Sequence, residues 1–206
     1  MKIERIEASK HKRGRVLVFL ADGVCLKITE QELLDFGLRS GDDLDEATLK
    51  RLKEAAGVSN VRATAADLIG KRAMSRRDLE RKLQEKGASE AESRYAAEWL
   101  EAIGAINDAD YGAVLARHYA GMGYGPARVR EKLREKGVPR ELWDDALDQL
   151  PDNGAQIDRF LESKLHGRRP DEKEKKRLAD ALLRRGFPWS DVKAGLNRLG
   201  ADLFDD

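Results

Sequence analysis

The sequence predicts a mainly α-helical protein. Three tandem three-helix repeats form an elongated, curved body, preceded by a small N-terminal β-hairpin or sheet with two short helices. Three observations predict this. Charged residues make up 37% of the 206 and hydrophobic ones 41%, while aromatics reach only 6%; that balance suits thin helical cores under a charged surface better than a β-sandwich. Apolar β-branched runs are confined to the N-terminal part of the chain. Finally, Gly87, Gly137 and Gly186 recur at intervals of 50 and 49 residues with similar neighbours around each, the mark of an internal repeat.

Taken in order, residues 2–6 begin as a short strand. Residues 16–20 and 24–28 are two further strands joined through Asp22-Gly23, a pair suited to a tight hairpin turn. Between the first strand and the hairpin, residues 10–15 (KHKRGR) form a basic, mobile connector. Thr29 caps a short helix, with Glu32 at the reciprocal capping-box position and Gly37 at its end. Asp45 caps a second helix running towards Gly57.

From residue 61 the pattern is helical and repeats. Four residues before each anchor glycine lies Leu83, Leu133 or Leu182, and eight before lies Leu79, Val129 or Leu178, an i, i+4 stripe on one helical face. The residue just before the anchor is basic: Lys86, Lys136, Arg185. Nine after it stands a small residue (Ala96, Ala146, Gly195), and thirteen after it Leu100, Leu150 or Leu199. The anchor glycine fits a helix C-terminus with positive φ. The following helix opens with the Ser89–Glu92 capping box in the first repeat, and with Pro139 and Pro188 in the first turn of the other two. A further helix precedes each stripe, over residues 65–74, 109–120 and 157–165. The division is therefore 1–60 for the N-terminal piece and 61–108, 109–151 and 152–206 for the repeats.

Little in this pattern supports catalysis. His11, His118 and His166 lie far apart, with no His-Glu-x-x-His pair and no cysteine cluster, so a catalytic metal has no evident ligands and no cofactor is expected. Residues 121–126 (GMGYGP) lead into a helix and could offer N–H groups to a phosphate, but the lysine of a phosphate-binding loop is missing. A connector ending at an N1 proline fits them better. Carboxylates such as Glu80 and Glu85 stand at helical spacing from Arg81 and Lys86, as on a solvated face. The chain is not expected to be an enzyme. Cys25 is the single cysteine, which excludes an intrachain disulfide; together with the absence of a signal peptide or an apolar span it points to the cytoplasm.

The basic residues are more informative. With 39 Lys+Arg against 38 Asp+Glu the net charge is +1, so any contact with a polyanion must be local. Arg76, Arg77, Arg81 and Lys82 decorate the first stripe helix. Arg128, Arg130, Lys132 and Arg134 decorate the second, with Arg128 and Lys132 on one flank of the stripe and Arg130 and Arg134 on the other. Arg168 and Arg169 lie in the third repeat. These ten are the candidate partner- or DNA-facing residues. The competing reading is that cations near a helix C-terminus complement the helix dipole, and that long cationic stems cover core edges. Trp99, Trp143 and Trp189 share no repeat position and are expected in core or inter-helix packing rather than in a base-stacking platform.

Residues 75–87 (SRRDLERKLQEKG), the segment from Trp99-Leu100 through Ile106-Asn107-Asp108 to Arg117, and residues 125–137 (GPARVREKLREKG) together resemble the RecX family of regulatory proteins. The likeness is most specific over residues 61–150; the N-terminal hairpin resembles an extension of only some members. Asn107 departs from the family by standing where an acidic residue is common. The resemblance implies a cytoplasmic modulator of the recombinase RecA, monomeric and without cofactor, acting in homologous recombination and DNA repair. It would bind in the groove of the RecA–single-stranded DNA filament and limit its extension, ATP hydrolysis and strand exchange. Single-stranded DNA would be met as part of the filament and bound weakly alone, and no membrane is involved. A stand-alone helical-repeat DNA-binding protein is the alternative.

Overall fold

A computed structural model describes residues 1–201; residues 202–206, assigned from sequence to the third repeat, lie outside the described residues. Three strands, β1 (Ile3–Ala8), β2 (Arg15–Leu20) and β3 (Cys25–Thr29), form an antiparallel sheet in the order β1-β2-β3. Val16, Val18, Leu20 and Ile28 are buried, as strand alternation requires. The Asp22-Gly23 turn forms as expected: Gly23 has φ 84° and the Asp22 carboxylate accepts the Val24 N–H at 3.0 Å. The basic connector is tethered, with Lys12 Nζ 2.7 Å from Asp67 Oδ2 and the Arg15 guanidinium donating to Ser59.

Helix α1 (Glu30–Asp35) carries the Thr29–Glu32 capping box. Helix α2 (Glu46–Lys71) corrects two expectations at once. Instead of a short helix ending near Gly57 and a separate one over 65–74, a single 26-residue helix starts at the Asp45 cap and runs unbroken. Buried Leu52, Ala56, Val61 and Ala65 keep one face continuous through the glycine. A glycine costs only about 1 kcal/mol within a helix, which this burial outweighs. Gly57 is used for close approach, since a Cβ there would lie 3.2 Å from Glu92 Oε1.

Next come α3 (Arg76–Glu85), α4 (Glu90–Ala102), α5 (Asp108–Gly121) and α6 (Pro126–Glu135). The Ser89–Glu92 box caps α4, and the Asn107 side chain caps α5 by accepting from Ala109 and Asp110 N–H. The helix expected after Gly137 is reduced to a 3₁₀ turn (Arg140–Leu142) and α7 (Trp143–Asp148). Pro151 disfavours helical geometry at the residue before it and fits the early stop. Pro139 and Pro188 stand just outside the first turns rather than inside them. The described chain closes with α8 (Asn153–Leu165), α9 (Glu172–Arg184) and α10 (Trp189–Ala201).

The three anchors share one geometry. Gly87, Gly137 and Gly186 have φ of 95°, 75° and 90°. In each, the next residue's N–H reaches the stripe leucine carbonyl: Ala88 to Leu83 at 3.1 Å, Val138 to Leu133 at 3.0 Å, Phe187 to Leu182 at 3.2 Å. These are Schellman turns, and only glycine enters them without strain.

The chain packs as two units. One comprises Met1–Ala73 and Leu79–Ile106, the other Met74–Asp78 and the residues from Asn107 on. In the first, Ile3, the sheet and Leu38, Leu44, Leu52 and Ala56 form one core. In the second, Ala116, Val129, Leu133, Val138 and Ala146 form a core cluster, and Ile157, Leu161, Leu165, Leu178, Leu182, Phe187 and Val192 form another.

Candidate nucleic-acid interface

The start of α6 explains the geometry of the site. Gly125, its N-cap, makes no side-chain capping bond. Its N–H donates instead to the Arg185 carbonyl at 2.8 Å, and the Ala127 N–H to the Gly186 carbonyl at 3.1 Å. A Cβ on Gly125 would lie 2.5 Å from Phe187 N, and one on Gly186 would lie 2.4 Å from Arg128 N. The first turn of α6 is thus seated on the Schellman turn that ends α9. Of the N–H groups of the glycine-rich connector, that of Gly125 is spent on this joint and those of Met122, Gly123 and Tyr124 on carbonyls of α5, rather than offered to a phosphate. A second joint has the same logic: Ser75 Oγ donates to the Lys136 carbonyl at 2.7 Å, and a Cβ on Gly137 would lie 2.8 Å from Ser75 Oγ.

Seating α6 on the end of α9 opens a cleft of about 680 Å³, lined by Arg128, Arg130, Glu131, Arg134, Arg140 and Arg184 with Ala127, Trp143 and Gly186. Arg128 pairs with Glu131, and Arg130 approaches Asp144 at 3.3 Å. The guanidinium groups of Arg134, Arg140 and Arg184 have no ion-pair or hydrogen-bond partner among the described residues. Trp143 forms one wall, its Nε1 donating to the Val138 carbonyl at 3.0 Å. Five guanidiniums and one carboxylate make the cleft locally basic on a chain of near-zero net charge, and guanidinium forks match phosphate oxygens in geometry.

Of the ten candidates, the structure gathers Arg128, Arg130 and Arg134 here, from opposite flanks of the stripe. With 3.6 residues per turn, both flanks reach round to the face opposite Val129 and Leu133. Lys132 sits about 40° beyond Arg128 on the helical wheel and does not line the cleft. Its ammonium lies 2.7 Å from Glu135 Oε2, and this hydrogen bond raises the lysine's pKa and lowers the glutamate's.

The other candidates lie elsewhere. The Arg76 main-chain N–H donates to Asp108 Oδ1 at 2.9 Å, and the Arg77 side chain lies beside Gly137. Arg81 pairs with Glu85 at 2.5 Å, while Lys82 is half-buried on the same helix. Arg168 and Arg169 line a cavity of about 360 Å³ shared with Asp158, Glu162 and Arg198, where the two charge signs are mixed. Arg168 also reaches Glu174 at 3.2 Å.

Arg140 and Arg184 escaped the sequence reading. The only available signal was their nearness to the anchor glycines, and that does not tell which turn seats which helix. Arg185 is a structural cation: it donates to the Gly123 carbonyl at 3.3 Å and stands over the Phe160 ring. The tryptophans divide. Trp99 packs beneath Arg62, Trp143 packs half-buried against the cluster around Val129 and Leu133 while also lining the cleft, and Trp189 is 57% exposed, contrary to the expectation of packing. Among the described residues no helix is long and apolar enough to cross a membrane, and no group of three or more His, Cys, Asp or Glu side chains could hold a metal.

Comparison with known proteins adds the family. The profile described as the second three-helix domain of RecX matches residues 107–147, and that of the third three-helix domain matches residues 155–196. Regulatory protein RecX of Pseudomonas putida strain F1 is 35% identical over 147 residues, covering 70% of this chain and 93% of that protein. RecX of Limosilactobacillus reuteri is 28% identical over 194 residues, covering 92% of this chain and 73% of its own length. Among solved structures, a crystal structure of regulatory protein RecX aligns with a TM-score of 0.72 at 24% identity, covering 95% of this chain and 98% of that one. RecX from Lactobacillus salivarius aligns at 0.65 and 20%, covering 71% of this chain and 99% of that one. These relatives are named as regulatory proteins, not as enzymes, and on the 35% identity over nearly the whole of such a relative the chain belongs to the RecX family.

Proposed function

We propose that this protein is a negative modulator of the RecA recombinase. It binds in the groove of the RecA–single-stranded DNA filament and limits filament extension, ATP hydrolysis and strand exchange. It does so as a cytoplasmic monomer that docks and performs no chemistry. In this reading residues 61–108, 109–151 and 152–206 act as consecutive three-helix repeats behind the 1–60 segment.

The observation that carries the reading is membership of a family of regulatory proteins. The arginine-lined cleft supports it, because a filament groove is walled by protein and by phosphates, and a surface of mixed charge with one basic channel suits both.

The test is a titration of DNA-dependent ATP hydrolysis by RecA. Substoichiometric amounts of the protein slow hydrolysis if the reading holds; no inhibition over a broad concentration range overturns it. The same cleft also favours a stand-alone DNA-binding protein. That alternative requires tight binding to naked single strands at about 150 mM salt, whereas the modulator binds them weakly there and inhibits strongly with RecA present.

A further inference from the structure

We propose that the turn ending α3, at Lys86-Gly87-Ala88, is a docking site for a partner protein, and that its occupant is the first turn of a partner helix with glycine or serine at its N-cap. The inference deepens the modulator reading and rests on it only for the partner being RecA.

The chain supplies the precedent twice. In the second and third repeats the carbonyl just before the anchor glycine accepts a hydrogen bond from the residue that opens another stripe helix. Lys136 O accepts from Ser75 Oγ at 2.7 Å, and Arg185 O from Gly125 N at 2.8 Å. Both opening residues are small, and they come so close that a Cβ on Gly137 or Gly186 would collide with the arriving segment. The pairing is also electrostatically favourable, because the negative end of one helix dipole meets the positive end of another.

The equivalent turn of the first repeat has the same backbone and no occupant. Gly87 has φ 95° and the Ala88 N–H reaches the Leu83 carbonyl, yet a Cβ on Gly87 would meet nothing within 4 Å. The Lys86 carbonyl accepts no hydrogen bond among the described residues. Lys86 and Gly87 are exposed, whereas Lys136, Gly137, Arg185 and Gly186 are half-buried. The residue after the anchor, buried Val138 or Phe187 in the other two repeats, is here the short Ala88. Beside it lies a cavity of about 220 Å³, lined by apolar Val61, Leu83 and Ala88 and by polar Thr64, Lys86 and Glu92. It leaves room for an apolar side chain of the arriving turn. A second copy of this chain is a poor occupant. Its Ser75 and Gly125 are already seated, and α9 is preceded by Asp171. That carboxylate caps its own helix by accepting the Glu174 N–H at 2.6 Å, and it would face the turn's carbonyls with like charge.

The experiment replaces Lys86 by photoreactive p-benzoylphenylalanine in the full chain and illuminates it with RecA assembled on single-stranded DNA. A cross-link to RecA forms, and mass spectrometry maps it to the opening turn of a helix. Ala88→Phe, which fills the cavity, removes the cross-link. It also raises the concentration for half-inhibition of ATP hydrolysis by about tenfold or more, the loss expected when an interface anchor is blocked. Gln84→Phe, which puts the same ring on α3 outside the cavity, leaves both at the parent level. Circular dichroism melting checks that the variants fold; if Ala88→Phe does not, Thr64→Phe is the second plug. The assignment is overturned if position 86 cross-links only to a second copy, if it reaches RecA away from a helix start, or if the folded plug variant matches the parent. Inhibition without any cross-link sinks this assignment and leaves the modulator reading standing. A cross-link to a RecA helix start without inhibition sinks the modulator reading alone, and the absence of both sinks both.

Discussion

Gly87 and Gly186 have nearly the same backbone conformation, with φ of 95° and 90°, but different surroundings: open space around the first, and Arg128 N at 2.4 Å from a Cβ on the second. Gly87→Ala should therefore cost about 1–2 kcal/mol, the penalty of a left-handed non-glycine residue. Gly186→Ala should cost roughly 1–3 kcal/mol more, because overpacking is added. Urea denaturation of both variants decides, and equal losses would refute the seating of α6 on that turn. The Ser89–Glu92 box gives a second residue-level test. The Glu92 carboxylate accepts the Ser89 N–H at 2.8 Å, and this bond, with that from the Ser89 hydroxyl, holds its pKa below the 4.5 of an unperturbed glutamate. Since the folded value is the depressed one, the contribution is present above the unfolded pKa and is lost as pH falls through the folded one. Glu92→Gln should flatten the fall in melting temperature below about pH 4.5, while Ser89→Ala should lower stability by about 1 kcal/mol at neutral pH.

At the scale of the element, caps and stops were legible because they depend on residues within one turn. Thr29, Asp45, Ser89 and Gly37 act as their types and spacings require. The continuity of α2 was not legible. Gly57-Val58-Ser59-Asn60 is poor in helix formers, and what holds it helical is burial of Ala56 and Val61, a tertiary term. Gly70 near the end of α2 has open space where a Cβ would sit and no positive φ. Gly70→Ala should then stabilise the chain by up to about 1 kcal/mol in thermal or urea unfolding. In α6 the fully buried Leu133 carries the stripe, and Leu133→Ala should destabilise by roughly 2–5 kcal/mol; a loss under 1 kcal/mol would mean that the stripe is not core.

For the molecule as a whole, a net charge of +1 leaves local patches, not a global field, to guide association. Arg128→Glu with Arg130→Glu should reduce inhibition of RecA ATP hydrolysis with helicity unchanged by circular dichroism. Lys132→Glu should leave inhibition near the parent's, because that ammonium sits at Glu135 outside the cleft; equal effects of the two changes would place the contact surface elsewhere. The helical class, the N-terminal sheet, the three glycine-ended stripe helices and the family resemblance follow from residue order alone, because periodicity, caps and positive-φ turns are local demands on nearby residues. That Arg128, Arg130 and Arg134 share a cleft with Arg140 and Arg184 is a consequence of packing. That grouping depends on two main-chain hydrogen bonds between the start of α6 and the turn after α9, segments far apart in the chain, and it is possible only because Gly125 and Gly186 leave no side chain between the two backbones.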